Sequence, residues 1–447
     1  MLYNNFAGWS SLVARKAHNL EVRGSNPLPA TNSSPGTCCI GLFSLKINLK
    51  VKNLLQVKKG NIVSGDGKPV ILKGINFGSW LNMEGYILGG RNISEHAFKD
   101  NFRSLNGEAA LAEFTRLFRD NFIREADFKK VKNLGFNCIR LPFNFRLVKS
   151  KDIYYLEKAV KLCAKFGLYC ILDMHAAPGS QNPDWHADSD GEVLIWKDKS
   201  YQREFISCWE TLADKFKGEE AVAGFDILNE PVTSQSKWVL ELYKKTVSAI
   251  RQIDKKHIIF LEGNPWGQNI EFFNRPWEEN LVYSIHFYEP IDFTFGFMRQ
   301  LKYPGRIRGK YWSKAQLRQA LQKYYKIKKK WQVPIYVGEF GQNSRCPHCS
   351  REFSWLRDTL DLFRECGFHW TYWTYKAVAG PFYPDGLYQY LDNPLWLGRQ
   401  RAIPGWENYY YLWKKYKKEI IVSWKTESFA LNPVAAKYLA KEARINV

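Results

Sequence analysis

Gly224-Phe225-Asp226-Ile227-Leu228-Asn229-Glu230-Pro231 reads as a buried strand that stops in an amide, a carboxylate and a proline. A short apolar run bounded by a turn signal is the pattern of a core strand. Proline withholds a backbone N–H and restrains the residue before it, so the strand is expected to end at Glu230. A carboxylate at the C-terminal edge of a strand is positioned by the sheet and still reaches solvent, which is where a barrel keeps its chemistry. On its own, the same glutamate fits an ordinary surface turn equally well. A partner carboxylate in an equivalent place would decide between the two.

Working outward, strand-like stretches alternate with helical ones through most of the chain. The strand candidates are Val70–Phe77, Cys138–Pro142, Tyr169–Met174, Val222–Leu228, Ile258–Glu262, Val282–Ile285, Ile335–Val337 and Phe368–Tyr372. Between them lie Glu108–Leu134, Tyr154–Phe166, Tyr201–Phe216, Lys237–Ile253, Lys314–Lys330 and Ser354–Cys366, where apolar residues recur every three or four positions, as at Leu156, Val160 and Ala164. Buried strands separated by crossovers also occur in open doubly wound sheets. Count and length favour an α/β fold of the closed (β/α)8 type, with long loops at its catalytic face. Gln56-Val57 and Asn61-Ile62-Val63, split by Lys58-Lys59-Gly60, predict a short N-terminal β-hairpin.

The expected organisation is one catalytic domain over residues 54–425, an arm over 1–53 and a tail over 426–447. The arm is polar and turn-rich, and its only apolar run, Cys38–Leu45, is too short to cross a bilayer. It lacks the layout of a signal peptide. From Gly8 to Pro27 it resembles the peptide read from a transfer-RNA gene translated in frame, so it is expected to be disordered or mistranslated; a targeting arm is the alternative. No transmembrane segment is apparent, so a soluble protein is expected, cytoplasmic or secreted. Near the other end, Trp413, Tyr416 and Ile420 mark one face of a terminal helix.

With 447 residues the chain has room for one large domain or two ordinary ones. Its formal charge of +21 would suit an anionic partner. The lysines, however, are spread through helix-like segments such as Lys326–Lys330 and Lys414–Lys418, without zinc-finger spacing or RNP-like aromatics. A solvated surface, with no nucleic-acid partner, is the reading. The 17 Trp, 24 Tyr and 29 Phe fit either a large core or flat platforms for sugar rings. Nine cysteines without framework spacing read as mostly free thiols. Cys346 and Cys349 form a C-x-x-C pair that fits a local disulfide or free thiols better than zinc, because no second ligand pair is near.

Polar residues gather at the predicted strand ends. Arg140 lies in strand two, His175 follows strand three, and Asn229 and Glu230 close strand four. His286 and Tyr288 close strand six, Glu339 closes strand seven and Trp373 closes strand eight. Each alone is explained by a buried salt bridge, a capped histidine or a packed ring. Together they line one barrel mouth with two carboxylates. Two carboxylates across a sugar-sized cleft can cleave a glycosidic bond, one protonating the leaving oxygen and the other attacking the anomeric carbon. Their separation distinguishes retention from inversion and is not readable from sequence.

With these residues in place, the chain resembles the cellulase-type glycoside hydrolases of family 5, retaining enzymes on the (β/α)8 or TIM barrel. The resemblance covers roughly residues 60–415. It implies that Glu230 is the acid/base and Glu339 the nucleophile, and that Arg140 orients Glu339. It also implies that Tyr288 hydrogen-bonds Glu339, that Asn229 holds the 2-hydroxyl, and that Trp373 lies under the sugar being cleaved, with His175 and His286 filling the family's histidine positions. Gly74 to Glu84 and His175 to Asn182 are similar to the exo-β-1,3-glucanase branch, where Glu84 and Asn182 would bind the terminal sugar. Pro183-Asp184-Trp185-His186-Ala187-Asp188 departs from that branch.

Trp185 and Trp266, and with them Trp196, Trp312 and Trp396, are candidates to pave further subsites or to pack in the core. Both a pocket acting on chain ends and an open cleft remain open. The preferred substrate is a β-1,4- or β-1,3-glucan or its oligosaccharides, then β-mannan or mannosides. The remaining alternatives are a transglycosylase and a barrel that binds carbohydrate without catalysis. No cofactor or metal is implied, since two carboxylates and water suffice.

Overall fold

Eight parallel strands close into a barrel in the computed structural model, which describes residues 54–150, 152–298, 300–344, 353–390 and 405–445. They are β1 (Lys73–Asn76), β2 (Cys138–Asn144), β3 (Tyr169–Ala176), β4 (Val222–Asp226), β5 (Ile258–Glu262), β6 (Leu281–His286), β7 (Ile335–Glu339) and β8 (His369–Tyr372). Each pairs in parallel with its sequence neighbours, and β8 returns to β1 through Trp370↔Lys73 and Tyr372↔Ile75. All eight predicted strands are present, with ends moved by a few residues. The hairpin pairs Gln56–Lys58 with Asn61–Val63.

Alternate residues of a strand share one face, so each inward row can be read from floor to mouth. On β5 it runs Ile258, Phe260, Glu262; on β3, Ile171, Asp173, His175; on β6, Val282, Ser284, His286. The lower members pack into a small inner core with Cys138 and Tyr336. Leu55 and Ile62 of the hairpin and Leu72 join that cluster, so the floor is apolar. The upper members are polar and buried. This vertical gradient sets the site at the C-terminal ends of the strands.

A register shift between Val337 and Glu339 makes Gly338 an extra residue on β7, which brings Glu339 opposite His286. Glycine fits there because a Cβ would stand 3.2 Å from both His286 Nε2 and Ser284 Oγ.

The second and larger core lies between strands and helices. Helix Tyr154–Phe166 buries Leu156, Val160 and Cys163, while Ala164, expected on that face, is exposed. The span Glu108–Leu134, expected as one helix, is two: Glu108–Phe122 and Glu125–Asn133. Arg124 between them is extended, and its N–H donates to the Asp127 carboxylate at 2.7 Å, an N-terminal cap that restarts the helix.

A helix not foreseen, Glu95–Asn106, packs Phe98 against Trp406 at 4.2 Å and Phe102 against Phe114 at 4.7 Å. Helix Tyr409–Trp424 adds Trp413 and Trp424 to this layer, and Ile420 is buried with them. Much of the aromatic content therefore serves packing on the barrel's flank. The expected tail is a helix over Pro433–Arg444, capped by Asn432 and burying Ala435 and Leu439. Lys73, buried on β1, holds it: its ammonium donates to the carbonyls of Glu442 at 2.9 Å and Ile445 at 3.0 Å.

Among the described residues Cys138, Cys163, Cys170, Cys208 and Cys366 are free. Residues 1–53, Cys346, Cys349 and Trp396 lie outside the described residues. No described helix is long and apolar enough to cross a membrane.

Candidate active site

Arg140 is the hub beneath the mouth. Its Nε donates to Asp226 at 2.8 Å, Nη1 to Glu339 at 2.8 Å and Asn76 at 3.1 Å, and Nη2 to Glu262 at 2.8 Å and Asn229 at 2.9 Å. Asp173 stands 3.1 Å from Nη2. Burial alone would favour a neutral guanidine, but Asp173, Asp226, Glu262 and Glu339 hold its pKa well above the usual value. Burial in turn pushes the Asp173 and Asp226 carboxyls well up, against the pull of Arg140. Asp173, Asp226 and Glu262 converge closely enough to ligate a cation, and the guanidinium occupies that place.

Glu339 receives a second donor on its other oxygen, the Tyr288 hydroxyl at 2.9 Å. Glu230 faces it, with one carboxylate oxygen of each residue within 4.8 Å of the other. His286 lies between them, its Nδ1 2.6 Å from Glu230 and 3.6 Å from Glu339. The Glu230 and Glu339 side chains retain 12% and 7% exposure while Arg140 retains none, so the two carboxylates are what a ligand meets. Burial would lower the His286 pKa, but the surrounding Glu262, Glu339 and Glu230 raise it well above the ordinary value.

Glu230 itself is held in the left-handed region, φ +46°, where a side chain other than glycine costs of order 1–3 kcal/mol. Its neighbours compensate. The Glu230 N–H donates to Glu262 at 2.7 Å, and its carbonyl accepts from the Asn182 amide at 2.9 Å. The side chain is therefore aimed by two fixed backbone contacts.

A second imidazole reaches Glu230 from the loop after β3. His186 Nε2 stands 3.2 Å from the free oxygen of Glu230 and 3.0 Å from Asn182 Nδ2. Burial would lower its pKa; the hydrogen bond and charge of Glu230 raise it to about 9. Burial would raise the Glu230 carboxyl, but hydrogen bonds from His186 and His286 hold it below the usual carboxylate range. At neutral pH the proton of this cluster rests on imidazole rather than carboxylate.

The wall opposite is aromatic. His175 stacks on Trp373 with centroids 5.4 Å apart, and its Nδ1 meets Asp173 at 2.7 Å. Burial lowers the His175 pKa to about 3, so the ring is neutral. Trp373 donates its N–H to the Tyr86 hydroxyl. Glu84 stands 3.7 Å from His175, and burial raises its carboxyl to about 8, so it is protonated at neutral pH. Glu84 Oε1, Asn229 Nδ2 and Trp185 Nε1 are buried without a hydrogen-bond partner among the described residues. Such groups want a ligand's hydroxyls.

The structure thus brings Arg140, His175, Asn229, Glu230, His286, Tyr288, Glu339, Trp373 and Glu84 into one site. Asn182 is beside it, its amide engaged with the Glu230 backbone. Trp185 and Trp266 flank it, the latter donating to Asp184 at 3.2 Å. Trp196 donates to the Gln181 carbonyl and Trp312 is buried under Lys310, so both serve packing. Sequence reasoning missed His186, Glu262, Asp173, Asp226 and Tyr86. Only the inward period of β3 and β5 signalled any of these.

Residues 96–378 match the family described as Cellulase (glycosyl hydrolase family 5). The chain belongs to glycoside hydrolase family 5. A β-xylosidase of Phanerodontia chrysosporium is 32% identical over 355 residues, which covers 73% of this chain and 71% of that protein. Endoglucanase C of Acetivibrio thermocellus is 28% identical over 312 residues, 61% of this chain and 89% of the relative. The solved endoglucanase Cel5A of Thermotoga maritima superposes with a TM-score of 0.52 at 22% identity, over 71% of this chain and 92% of that one, a likeness of fold. This family-5 chain is a retaining β-glycoside hydrolase of O-glycosyl compounds.

Proposed function

We propose that this family-5 enzyme hydrolyses β-glucan or β-gluco-oligosaccharides with Glu339 as nucleophile and Glu230 as acid/base. The carrying observation is that one carboxylate oxygen of Glu230 and one of Glu339 lie within 4.8 Å of each other, an approach compatible with the roughly 5–5.5 Å between the carboxyl groups of retaining pairs. The roles divide by neighbours. Glu339 is held by a guanidinium and a phenol, donors that lend no proton at neutral pH. Glu230 lies between two imidazoles that do.

In the first step a Glu339 oxygen attacks the anomeric carbon while Glu230 gives a proton to the departing oxygen, leaving a glycosyl ester. In the second, Glu230 takes a proton from water, whose oxygen attacks the same carbon and frees Glu339 with net retention. Asn229 Nδ2 is free to donate to the 2-hydroxyl, and Trp373 offers the ring below. Relatives named for glucan cleavage support glucan; β-mannosides, which differ at that hydroxyl, come second. The relative named a β-xylosidase adds β-xylosides to the test panel.

Azide rescue on an activated aryl β-glycoside tests the assignment. Glu339→Ala is expected to lose turnover and regain it with azide as the α-glycosyl azide; Glu230→Ala is expected to give the β-azide. Near-wild-type turnover by Glu339→Ala, or swapped azide anomers, would overturn it.

A further inference from the structure

The mouth is closed on one side around Tyr383. This residue follows β8, has φ +67° and is 8% exposed. A left-handed backbone at a bulky aromatic is a real outlier, kept only where the surroundings fix it. Four contacts do so. Its ring meets Tyr86 at 5.0 Å, Trp185 at 5.5 Å, Phe295 at 5.6 Å and Phe297 at 6.2 Å. Its N–H donates to the Phe295 carbonyl at 2.9 Å, its own carbonyl accepts from Asn343 at 2.8 Å, and its hydroxyl bonds Asn92. Loops after β1, β3, β6 and β8 therefore join through one ring.

Three of these rings lead on to the reacting groups. Tyr86 receives the Trp373 N–H. Phe295 packs on Tyr288, which holds Glu339. Trp185 precedes His186, which reaches Glu230. Trp185, which touches the Tyr383 ring, and Glu84, two residues before Tyr86, carry an Nε1 and an Oε1 without a hydrogen-bond partner among the described residues, groups that would meet the hydroxyls of a sugar ending there rather than continuing.

We propose that Tyr383 is the wall that ends the cleft, so that a chain reaches Glu339 only by its terminal non-reducing sugar and the enzyme releases monosaccharide. This rests on the Glu230/Glu339 reading above. It also explains the strain at Tyr383: the conformation that turns its ring inward is the one that joins four loops.

The test uses nitrophenyl β-glycosides of glucose, mannose and xylose, each paired with its own nitrophenyl β-bioside. Nitrophenol leaves a bioside directly only if a second sugar fits beyond the one being cleaved. The full-length wild type is expected to cleave its best monoside and to release nitrophenol from the matching bioside only after a lag, once the outer sugar has been removed. In Tyr383→Gly, which suits the positive φ, direct release from the bioside relative to the monoside is expected to rise about tenfold or more, the scale on which pocket size discriminates substrates. Tyr383→Phe keeps the ring and is expected to keep the wild-type ratio, which separates the wall from a loss of folding.

Direct bioside cleavage by the wild type without a lag overturns the wall. So does an unchanged ratio in Tyr383→Gly, provided Glu339→Ala is inactive. Turnover surviving in Glu339→Ala overturns the site itself, and the wall with it.

Discussion

Removing the His186 imidazole tests how the acid/base gets its proton. On the proposed reading, the proton needed by the leaving group rests on His186, whose pKa is raised to about 9, and passes through Glu230 at 3.2 Å. The groups facing His186 are Glu230 and Asp184, whose charges raise its pKa, Glu84, which adds its charge only above about pH 8, and the neutral His175 ring 5.6 Å away. On losing its proton, Nε2 turns from a donor to Glu230 into an acceptor for the Asn182 amide already 3.0 Å away.

In His186→Ala the proton must rest on Glu230, with His286 as the remaining imidazole. Losing a hydrogen bond to a charged group is worth about 1.5–3 kcal/mol, about one to two units at 1.36 kcal/mol per unit, so the alkaline limb of kcat/KM is expected to move down by at least that much, toward the carboxylate range. The sign follows from where the proton sits: the active form now lasts only up to the pKa of Glu230 alone, so the loss grows as pH rises and is small in acid. The assay is kcat/KM against pH for a phenyl and a dinitrophenyl glycoside. The dinitrophenyl leaving group departs with little protonation, so its profile should barely respond. An unchanged alkaline limb in the variant, or an equal loss at every pH with both substrates, would refute the proton route.

Two further outcomes follow from the same network. Arg140→Met strands Asp173, Asp226, Glu262 and Glu339 around an apolar chain; a cost of about 3–5 kcal/mol is expected as a lower urea midpoint. Arg140→Lys should not restore it, because a single ammonium cannot serve both edges of the fork. Tyr288→Phe removes the hydroxyl 2.9 Å from Glu339 and should lower kcat/KM roughly 10- to 150-fold, from a hydrogen bond worth about 1.5–3 kcal/mol. Its thermal midpoint should stay close to that of the wild type.

The barrel strands were legible because buried strands carry their signal locally, as apolar runs ended by turn residues. Gly224 to Pro231 is an instructive case: the strand is there, but it ends at Asp226, four residues before the Glu230 at which the proline was expected to stop it, while the residues closing β6, β7 and β8 follow the expected logic. The break at Arg124 was local too, but apolar periodicity on both sides concealed the Asp127 cap. His186 was illegible for another reason: its loop has no period, and its partner Glu230 lies 44 positions away and meets it only once the barrel has closed. Tyr383 shares that fate, since its neighbours come from four loops. The aromatic count, read as sugar platforms or core, divides mostly toward core: Phe98, Phe102, Phe114, Trp406, Trp413 and Trp424 pack on one another between helices.

Lys73 gives the order of synthesis a physical meaning. Its ammonium sits on the first strand of the barrel, while the carbonyls that receive it lie 369 and 372 positions later. Burial lowers its pKa, so covering the strand without those carbonyls would leave a desolvated cation short of acceptors. A nascent chain can gather its strands as they emerge from the ribosome, and β1 gains these last hydrogen bonds only when helix Pro433–Arg444 docks. A polypeptide cut before Glu442 would therefore fail at its opposite end, presenting quality-control factors with a loosened β1 rather than a frayed terminus.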